Sequence, residues 1–328
     1  MSEPHFRQPP EWAEHEWVWI GFPSHAELWE DDLEPARREV AAFARAIHAD
    51  GAGEAVRLVA ADAASAEAAR ALAPFATVIE EPFGDIWLRD TGPIVLGRGR
   101  ERRAARFLFN GWGGKYRLEG DDSVGQRLAD RAGLATMRHD WILEGGAIDV
   151  DGTGLAVTTE QCLLNPNRNP GLARRDVEAR LRDHLGIERV LWLGDGLLND
   201  HTDGHVDNLA RFVGENRLAI PHSDHGLDPN GEAYEDATRR AETFGVEVVR
   251  IPSPGPTERD GNIVPASYMN FYIGNAAVVV PLHGRPNDGA ALAAIADLFP
   301  NRRTTGFEAG HILTGGGSFH CISQQMPR

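Results

Sequence analysis

Cysteine is scarce in this chain of 328 residues, which has only Cys162 and Cys321. Two cysteines so far apart cannot form a disulfide framework, and their scarcity suits a reducing compartment, so each needs its own explanation. Long apolar runs are also missing. No stretch reaches the length of a membrane span, and the N-terminal MSEPHFRQPPEWAEHEW lacks the basic region and apolar stretch of a secretory signal, which predicts a cytoplasmic protein with no membrane contact. Basic residues are outnumbered, 33 Lys and Arg against 49 Asp and Glu. The net charge of −16 argues against nucleic acid or an anionic membrane surface as a partner, because both are held by clustered Lys and Arg. Most of that acidity reads as surface solubility, and cationic partners are tolerated. Neither a GxxxxGK loop nor a GxGxxG between strand and helix occurs, so no nucleotide cofactor is expected.

What is present reads as a folded protein. Hydrophobic residues make up 42% and charged residues 25%, with thirteen Phe and eight Trp, which are globular proportions. Short apolar, β-branched or aromatic runs alternate with amphipathic stretches under Gly and Pro punctuation, so the chain is mixed α and β throughout. The pattern predicts strands over 17–22, 56–60, 86–88, 105–109, 155–158, 190–193, 206–212, 246–251, 268–273 and 277–281. It predicts helices over 34–48, 63–72, 124–132, 174–185, 232–244 and 288–298. From Val124 onward the helices recur roughly every 55 residues, each bracketed by strands, which suggests strand-helix units packed about a centre, the first enlarged by an extra helix. The strongest loop signal, IPSPGPTERDGNIV over 251–264, leads straight into a strand. With no low-complexity linker, residues 1–328 are expected to form a single domain.

Four segments carry chemistry. In TGGGSFHCISQQMP (314–327), Gly315 to Gly317 allow close backbone approach, and Cys321 follows beside His320. A buried thiol acting as a small hydrophobe is the commoner fate of a cysteine, but the glycines and polar flanks favour a nucleophile here. Cys162, in TTEQCLLN, has no such setting and reads as core. In NDHTDGHVDNLARF (199–212), a turn at Asp203-Gly204 precedes a strand whose alternation places His205 and Asp207 on one face. His201 and Asp203 read as polar turn residues satisfying backbone groups. The same four side chains, His201, Asp203, His205 and Asp207, are also plausible ligands for zinc, a rival reading that leaves Cys321 without a purpose. In DIWLRDTGP (85–93), Asp90 ends an apolar strand beside a turn, and the plain alternative is an Arg89–Asp90 ion pair. In EGGAIDVDG (144–152), Glu144 precedes two glycines and could orient an imidazole or cap a bulge. One Cys, one His and several carboxylates with no oxyanion hole suit attack on a cation. A guanidinium binds bidentately to carboxylates, and held between two of them it stays protonated and electrophilic while His protonates departing ammonia.

These segments together resemble the agmatine deiminase and bacterial-type peptidylarginine deiminase family of guanidine-modifying enzymes. The resemblance runs from EWAEHEWVWIGFP (11–23) through WLRDTGP, FNGWGGKY (109–116), EGGAIDVDG, NPNRNP (165–170), TDGHVDNLARF and YMNFYIGN (268–275) to GGGSFHCISQQMP. It implies a five-bladed α/β propeller with pseudo-fivefold symmetry and a metal-free, cofactor-free hydrolase acting on the C–N bonds of a small cationic guanidine, with agmatine converted to N-carbamoylputrescine. By motif, Cys321 is similar to the nucleophile, His205 to the general acid and base, Asp90 and Asp207 to the carboxylates gripping the guanidinium, and Glu144 to a partner of His205. Trp87 and Trp112 are candidates for walls of the substrate channel. After FNGWGGKY the sequence reads RLEGDDSVG, without the aromatic-Pro element expected of an agmatine deiminase, so free or peptidyl arginine stays open as the substrate. A translation factor with the same architecture keeps a non-catalytic binding protein as a third reading, though it would not need the Cys, His and paired Asp. A homo-oligomeric state is left open.

Overall fold

The computed structural model describes residues 6–223, 228–259 and 261–328. Its mixed α/β architecture repeats one arrangement. β1 (His15–Gly21), β2 (Ala55–Ala60) and β3 (Thr77–Glu80) run parallel, joined by α1 (Leu33–His48) and α2 (Ala63–Leu72). Parallel neighbours need a crossover, and these helices supply it. β4 (Ile94–Leu96) pairs antiparallel with β5 (Arg103–Leu108), which pairs parallel with β6 (Ala135–Ile142) across α3 (Asp121–Arg131). The same order recurs in β7 (Ile148–Val150), β8 (Leu155–Thr159), α4 (Arg174–Leu185) and β9 (Arg189–Leu193). It recurs again in β10 (Arg211–Gly214), β11 (Arg217–His222), α5 (Gly231–Phe244) and β12 (Glu247–Pro252). After a short hairpin, β13 (Glu258–Arg259) and β14 (Asn262–Ile263), it appears once more in β15 (Tyr272–Ile273), β16 (Ala277–Leu282), α6 (Asp288–Leu298) and β17 (Arg303–Glu308). The last strand, β18 (Ser323–Pro327), returns to pair antiparallel with β1, giving the first sheet the same antiparallel-then-parallel order.

Amphipathic spacing explains the helices. In α1 the buried residues Ala36, Val40, Phe43, Ala44 and Ile47 fall three and four apart and form one stripe against the first sheet. Phe43 reaches beyond that sheet and stacks on Phe319, with ring centroids 4.6 Å apart and planes 7° from parallel. That contact anchors the segment two residues before Cys321. No helix among the described residues is long and apolar enough to cross a membrane.

Three expected strands are corrected. Residues 86–88 are not a strand, and Leu88–Thr91 form a helical turn that breaks at Gly92-Pro93. Residues 206–208 form a 3-10 turn before β10, and 268–270 form another before β15, so the period-2 reading of both segments fails. In each case a side chain starts or ties down the turn locally, as when Ser267 Oγ accepts the Met269 amide. The expected loop at 251–264 contains the β13–β14 hairpin.

A buried ionic network joins the repeating units. Glu11 lies just before β1 and is buried. Its Oε1 accepts the Ile273 amide at 2.8 Å and lies 2.9 Å from Arg211 Nη2. Its Oε2 lies 3.2 Å from Arg89 Nη2 and 2.9 Å from His320 Nε2. Arg211 in turn donates to Asp149 Oδ2 at 2.8 Å and to the Phe271 carbonyl at 2.8 Å. Four segments distant in sequence therefore meet on one carboxylate.

Burial alone would push the Glu11 carboxyl up, but Arg211, His320 and Arg89 outweigh it and hold it well below 4.5. Removing one partner of a buried ion group leaves charge uncompensated, so Glu11→Gln should cost about 3 kcal/mol or more at neutral pH. A carboxylate depressed on folding contributes stability above its unfolded pKa and loses it as pH falls through the folded value. Urea melts should therefore show the largest gap between wild type and Glu11→Gln near pH 7, closing below about pH 4. A gap independent of pH would mean that Glu11 acts through shape and not charge.

Candidate active site

Cys321 sits in the turn before β18, where its carbonyl accepts the Arg89 amide at 3.0 Å. That bond ties it to the helical turn carrying Asp90. Asn270 fixes the other side, since its Oδ1 accepts the amides of His320 (3.0 Å) and Cys321 (3.2 Å), and its Nδ2 donates to Cys321 Sγ at 3.0 Å. Asp207 Oδ2 lies 3.4 Å from Cys321 Sγ and 2.7 Å from His320 Nδ1. Asp207 Oδ1 is buried and makes no hydrogen bond within the chain. Asp90 accepts the Trp112 indole N–H at 2.9 Å and the Gly146 amide at 2.9 Å, and its Oδ1 stands 3.7 Å from His205 Nδ1.

The convergence is clearest at Gly146. A β-carbon there would lie 2.7 Å from His205 Nδ1, 2.8 Å from Asp90 Oδ1 and 3.2 Å from Asp207 Oδ2. Such distances leave no room for a side chain, so glycine is required for three site groups to close on one point. Trp112 adopts a left-handed conformation (φ +51°), which is costly for a bulky residue and aims its indole at Asp90.

Above these groups lies a cavity of about 190 Å³ walled by Trp87, Trp112 and Tyr116, with Cys321 and Asp90 in its lining. Gly315 and Gly317 pack against the Trp87 ring, where any β-carbon would collide at 2.4 and 2.6 Å.

The electrostatics are set by burial and sign. Burial raises the Asp90 carboxyl despite the neighbouring His205. For Asp207 burial also pushes up, but His320, His205 and Arg211 win and its pKa is lowered. His205 would be depressed by burial, yet Asp90, Cys162 and Glu144 drive it well above its usual value. The Cys321 thiol is pushed well up, first by burial and then by the charges of Asp207 and Asp90.

All seven residues singled out by motif, Cys321, His205, Asp90, Asp207, Glu144, Trp87 and Trp112, lie in or against this site. Glu144 is tied to Arg168 Nε at 2.6 Å, and it groups with His205 and Cys162, their donor atoms lying within 4.8 Å of one another. Cys162 is fully buried in the core, as its apolar setting suggests, but its thiol faces the imidazole and not solvent. Arg89 pairs with Glu11 and not with Asp90, so the adjacent-pair reading falls. Asp203 is more than a turn residue, because its carboxylate receives Lys115 Nζ at 2.5 Å and Arg168 Nη1 at 2.7 Å. His201 likewise meets the Tyr116 hydroxyl at 2.9 Å instead of capping backbone. The four-ligand zinc reading is corrected too: among the described residues the only set of His, Cys and carboxylate atoms close enough to share a metal is Glu144, Cys162 and His205. His201, Asp203 and Asp207 are committed elsewhere. Sequence reasoning missed Asn270 and Glu11, both inside segments quoted for their resemblance but without a local pattern that signals a contact.

A model of the Porphyromonas-type peptidyl-arginine deiminase family matches residues 7–327, and the chain belongs to this family. Agmatine deiminase from Ectopseudomonas mendocina is 37% identical, with 98% of this chain and 95% of the relative covered. Among solved structures, agmatine deiminase of Enterococcus faecalis superposes with a TM-score of 0.92 at 32% identity, covering 99% of this chain and 96% of that one. A cysteine-to-serine variant of C. jejuni agmatine deiminase with substrate bound gives 0.90 at 28% identity, covering 98% and 96%.

Because neighbouring negative charge raises the Cys321 thiol, removing some should expose thiolate. Asp207→Asn is expected to alkylate faster with iodoacetamide at pH 8 than wild type, roughly threefold for each unit by which the pKa falls, the gain in thiolate being partly offset by weaker nucleophilicity. Peptide mapping should place the label on Cys321. Unchanged or slower labelling would show that Asp207 does not govern this thiol.

Proposed function

We propose that this protein is an agmatine deiminase, a hydrolase that converts agmatine and water to N-carbamoylputrescine and ammonia. The observation that carries this reading is the convergence of the His205 imidazole and the Asp90 and Asp207 carboxylates at Gly146, with Cys321 Sγ 3.4 Å from Asp207 and with Cys321 and Asp90 lining a cavity sized for a small molecule. Full-length relatives named agmatine deiminase support it, and the substrate-bound relative carries a cysteine-to-serine change.

The guanidinium enters between Asp90 and Asp207, whose carboxylates accept its planar N–H groups. Its positive charge offsets the two anions that raise the Cys321 thiol, so binding releases the thiol proton to solvent and leaves a thiolate facing the guanidinium carbon. Sulfur attacks that carbon. One C–N bond breaks, and ammonia departs with the proton of the His205 imidazolium, leaving a cationic amidino-thioether. Water then attacks the same carbon, giving one proton to the now neutral His205 and the other to the departing sulfur. The urea product leaves neutral, with Cys321 and His205 restored. Glu144, anchored by Arg168, stabilises the imidazolium and orients the ring. Trp87 and Trp112 flank the alkyl chain.

We further infer that residues 1–328 form one domain in which the five repeated sheets are the blades of an α/β propeller, with β18 closing the first blade onto β1. The scarcity of cysteine supports a cytoplasmic location.

Purified protein treated with EDTA should turn agmatine over at an unchanged rate, as read by mass spectrometry of the product. Cys321→Ser should be folded and inactive, Cys162→Ser should keep most activity, and acid quenching should trap an added amidino mass on the Cys321 peptide. Activity abolished by chelation and restored by zinc, or an adduct on Cys162, would overturn the reading. Each charge-assisted bond to a clamp carboxylate is worth about 1.5 to 3 kcal/mol, and a bound cation facing a lost charge loses more. Asp90→Asn and Asp207→Asn should therefore each lower kcat/KM at least roughly a hundredfold, Asp90→Asn without lowering the melting temperature and Asp207→Asn by far more than any loss of folded protein explains. Activity falling only in proportion to folded protein would assign both residues to structure.

A further inference from the structure

Resting on the deiminase reading, we propose that Asp85 forms the subsite for the far end of the substrate, binding a terminal ammonium, so that the cavity selects a guanidinoalkylamine over arginine. Asp85 and Asp90 are the two carboxylates in the cavity lining, and no Lys or Arg lines it. Lys115, next in sequence to the lining residue Tyr116, is engaged by Asp203. Trp87, the aromatic wall, stands between the two acids in sequence, and its indole N–H donates to Asp85 Oδ2 at 2.7 Å while the Ile86 amide donates to Oδ1 at 2.8 Å. These bonds fix the carboxylate without neutralising it.

Behind Asp85 lies a second acid. Asp121 Oδ1 accepts the amides of Gly84 (2.8 Å) and Asp85 (3.1 Å), while its buried Oδ2 makes no hydrogen bond. Among the described residues neither acid forms an ion pair with Lys or Arg. Burial raises Asp85 to about 6 and Asp121 to about 7, and the charge of Asp85 adds to the shift of Asp121 against a small opposing influence of His25. Two acids with raised pKa values beside a ligand cavity have unmet demand for positive charge. A terminal ammonium supplies it. Free arginine has an ammonium at the same carbon but adds an α-carboxylate, a like charge beside Asp85 that cancels the gain, and an internal peptidyl arginine would bring no charge there at all.

The distinguishing comparison is agmatine against n-butylguanidine, which has the same chain and lacks only the amine. Wild type should show kcat/KM for agmatine at least roughly tenfold above that for n-butylguanidine, and above that for arginine by more. In Asp85→Asn the ratio of agmatine to n-butylguanidine should fall at least roughly tenfold, mainly through a higher KM for agmatine. Equal loss on both substrates would mean that Asp85 only braces Trp87 and would overturn the proposal. So would wild type using both guanidines equally well, a result that needs no variant and leaves the deiminase assignment standing. Turnover of neither guanidine would instead overturn the assigned reaction, and the subsite with it.

Discussion

The centre of this protein is held by charge that cannot escape to water, and the distribution of arginine decides what each buried carboxylate does. Glu11 and Asp149 share Arg211, and Glu11 also meets Arg89, so these acids are satisfied and bind the repeating units together. Glu144 is paired with Arg168 through Oε1, while its buried Oε2 makes no hydrogen bond within the chain. Among the described residues no arginine pairs with Asp90. Asp207 feels Arg211 only at a distance and bonds to His320 instead. Buried anions without a permanent cation are costly, so the same allocation that stabilises the frame leaves two carboxylates beside Cys321 without an arginine of their own, a charge that the proposed cationic substrate would supply. The frame and the site are one electrostatic arrangement, divided by where arginine stands.

The candidate site sits where regular structure stops. Asp90 is on a single helical turn between β3 and β4, His205 and Asp207 are on a 3-10 turn before β10, and Cys321 is in the turn entering β18. A strand would have spread its side chains over alternating faces, whereas turns let neighbouring residues aim inward at one point. Rigidity is recovered through long-range bonds, Arg89 to the Cys321 carbonyl and Asn270 to the Cys321 amide and sulfur. The left-handed Trp112 is a local cost of the same kind, offset by the bond from its indole to Asp90.

This division explains what the sequence made legible. The longer helices were readable because each carries its own amphipathic stripe, and α2, α4 and α6 have the bounds that periodicity predicts. The recurring strand-helix spacing was readable for the same reason. The brief outer strands Ile94–Leu96 and Ile148–Val150 were not, because three residues cannot display a period. His205 and Asp207 were found for a partly wrong reason, since alternation along a strand was invoked where a 3-10 turn brings them together. Residues with polar identity in a dense motif could be nominated from the chain alone. Their partners could not, because His201 meets Tyr116, Asp203 meets Arg168 and Glu11 meets His320 across long sequence separations that no local pattern encodes.

Asp207 shows why fold and reactivity cannot be separated here. Its Oδ2 belongs to the frame, held by His320, whose other ring nitrogen rests on Glu11. Its Oδ1 is buried and makes no hydrogen bond within the chain. One oxygen therefore fixes where the other points, and Glu11 orients the carboxylate proposed for the clamp through a single imidazole. The amide bond from Gly146 does the same for Asp90, because it comes from the turn that follows Glu144 and so couples that carboxylate to the Arg168 anchor. Each arm of the proposed clamp is thus oriented through groups tied to a buried ion pair, and the spacing between the arms is inherited from the packing of the units that carry those pairs.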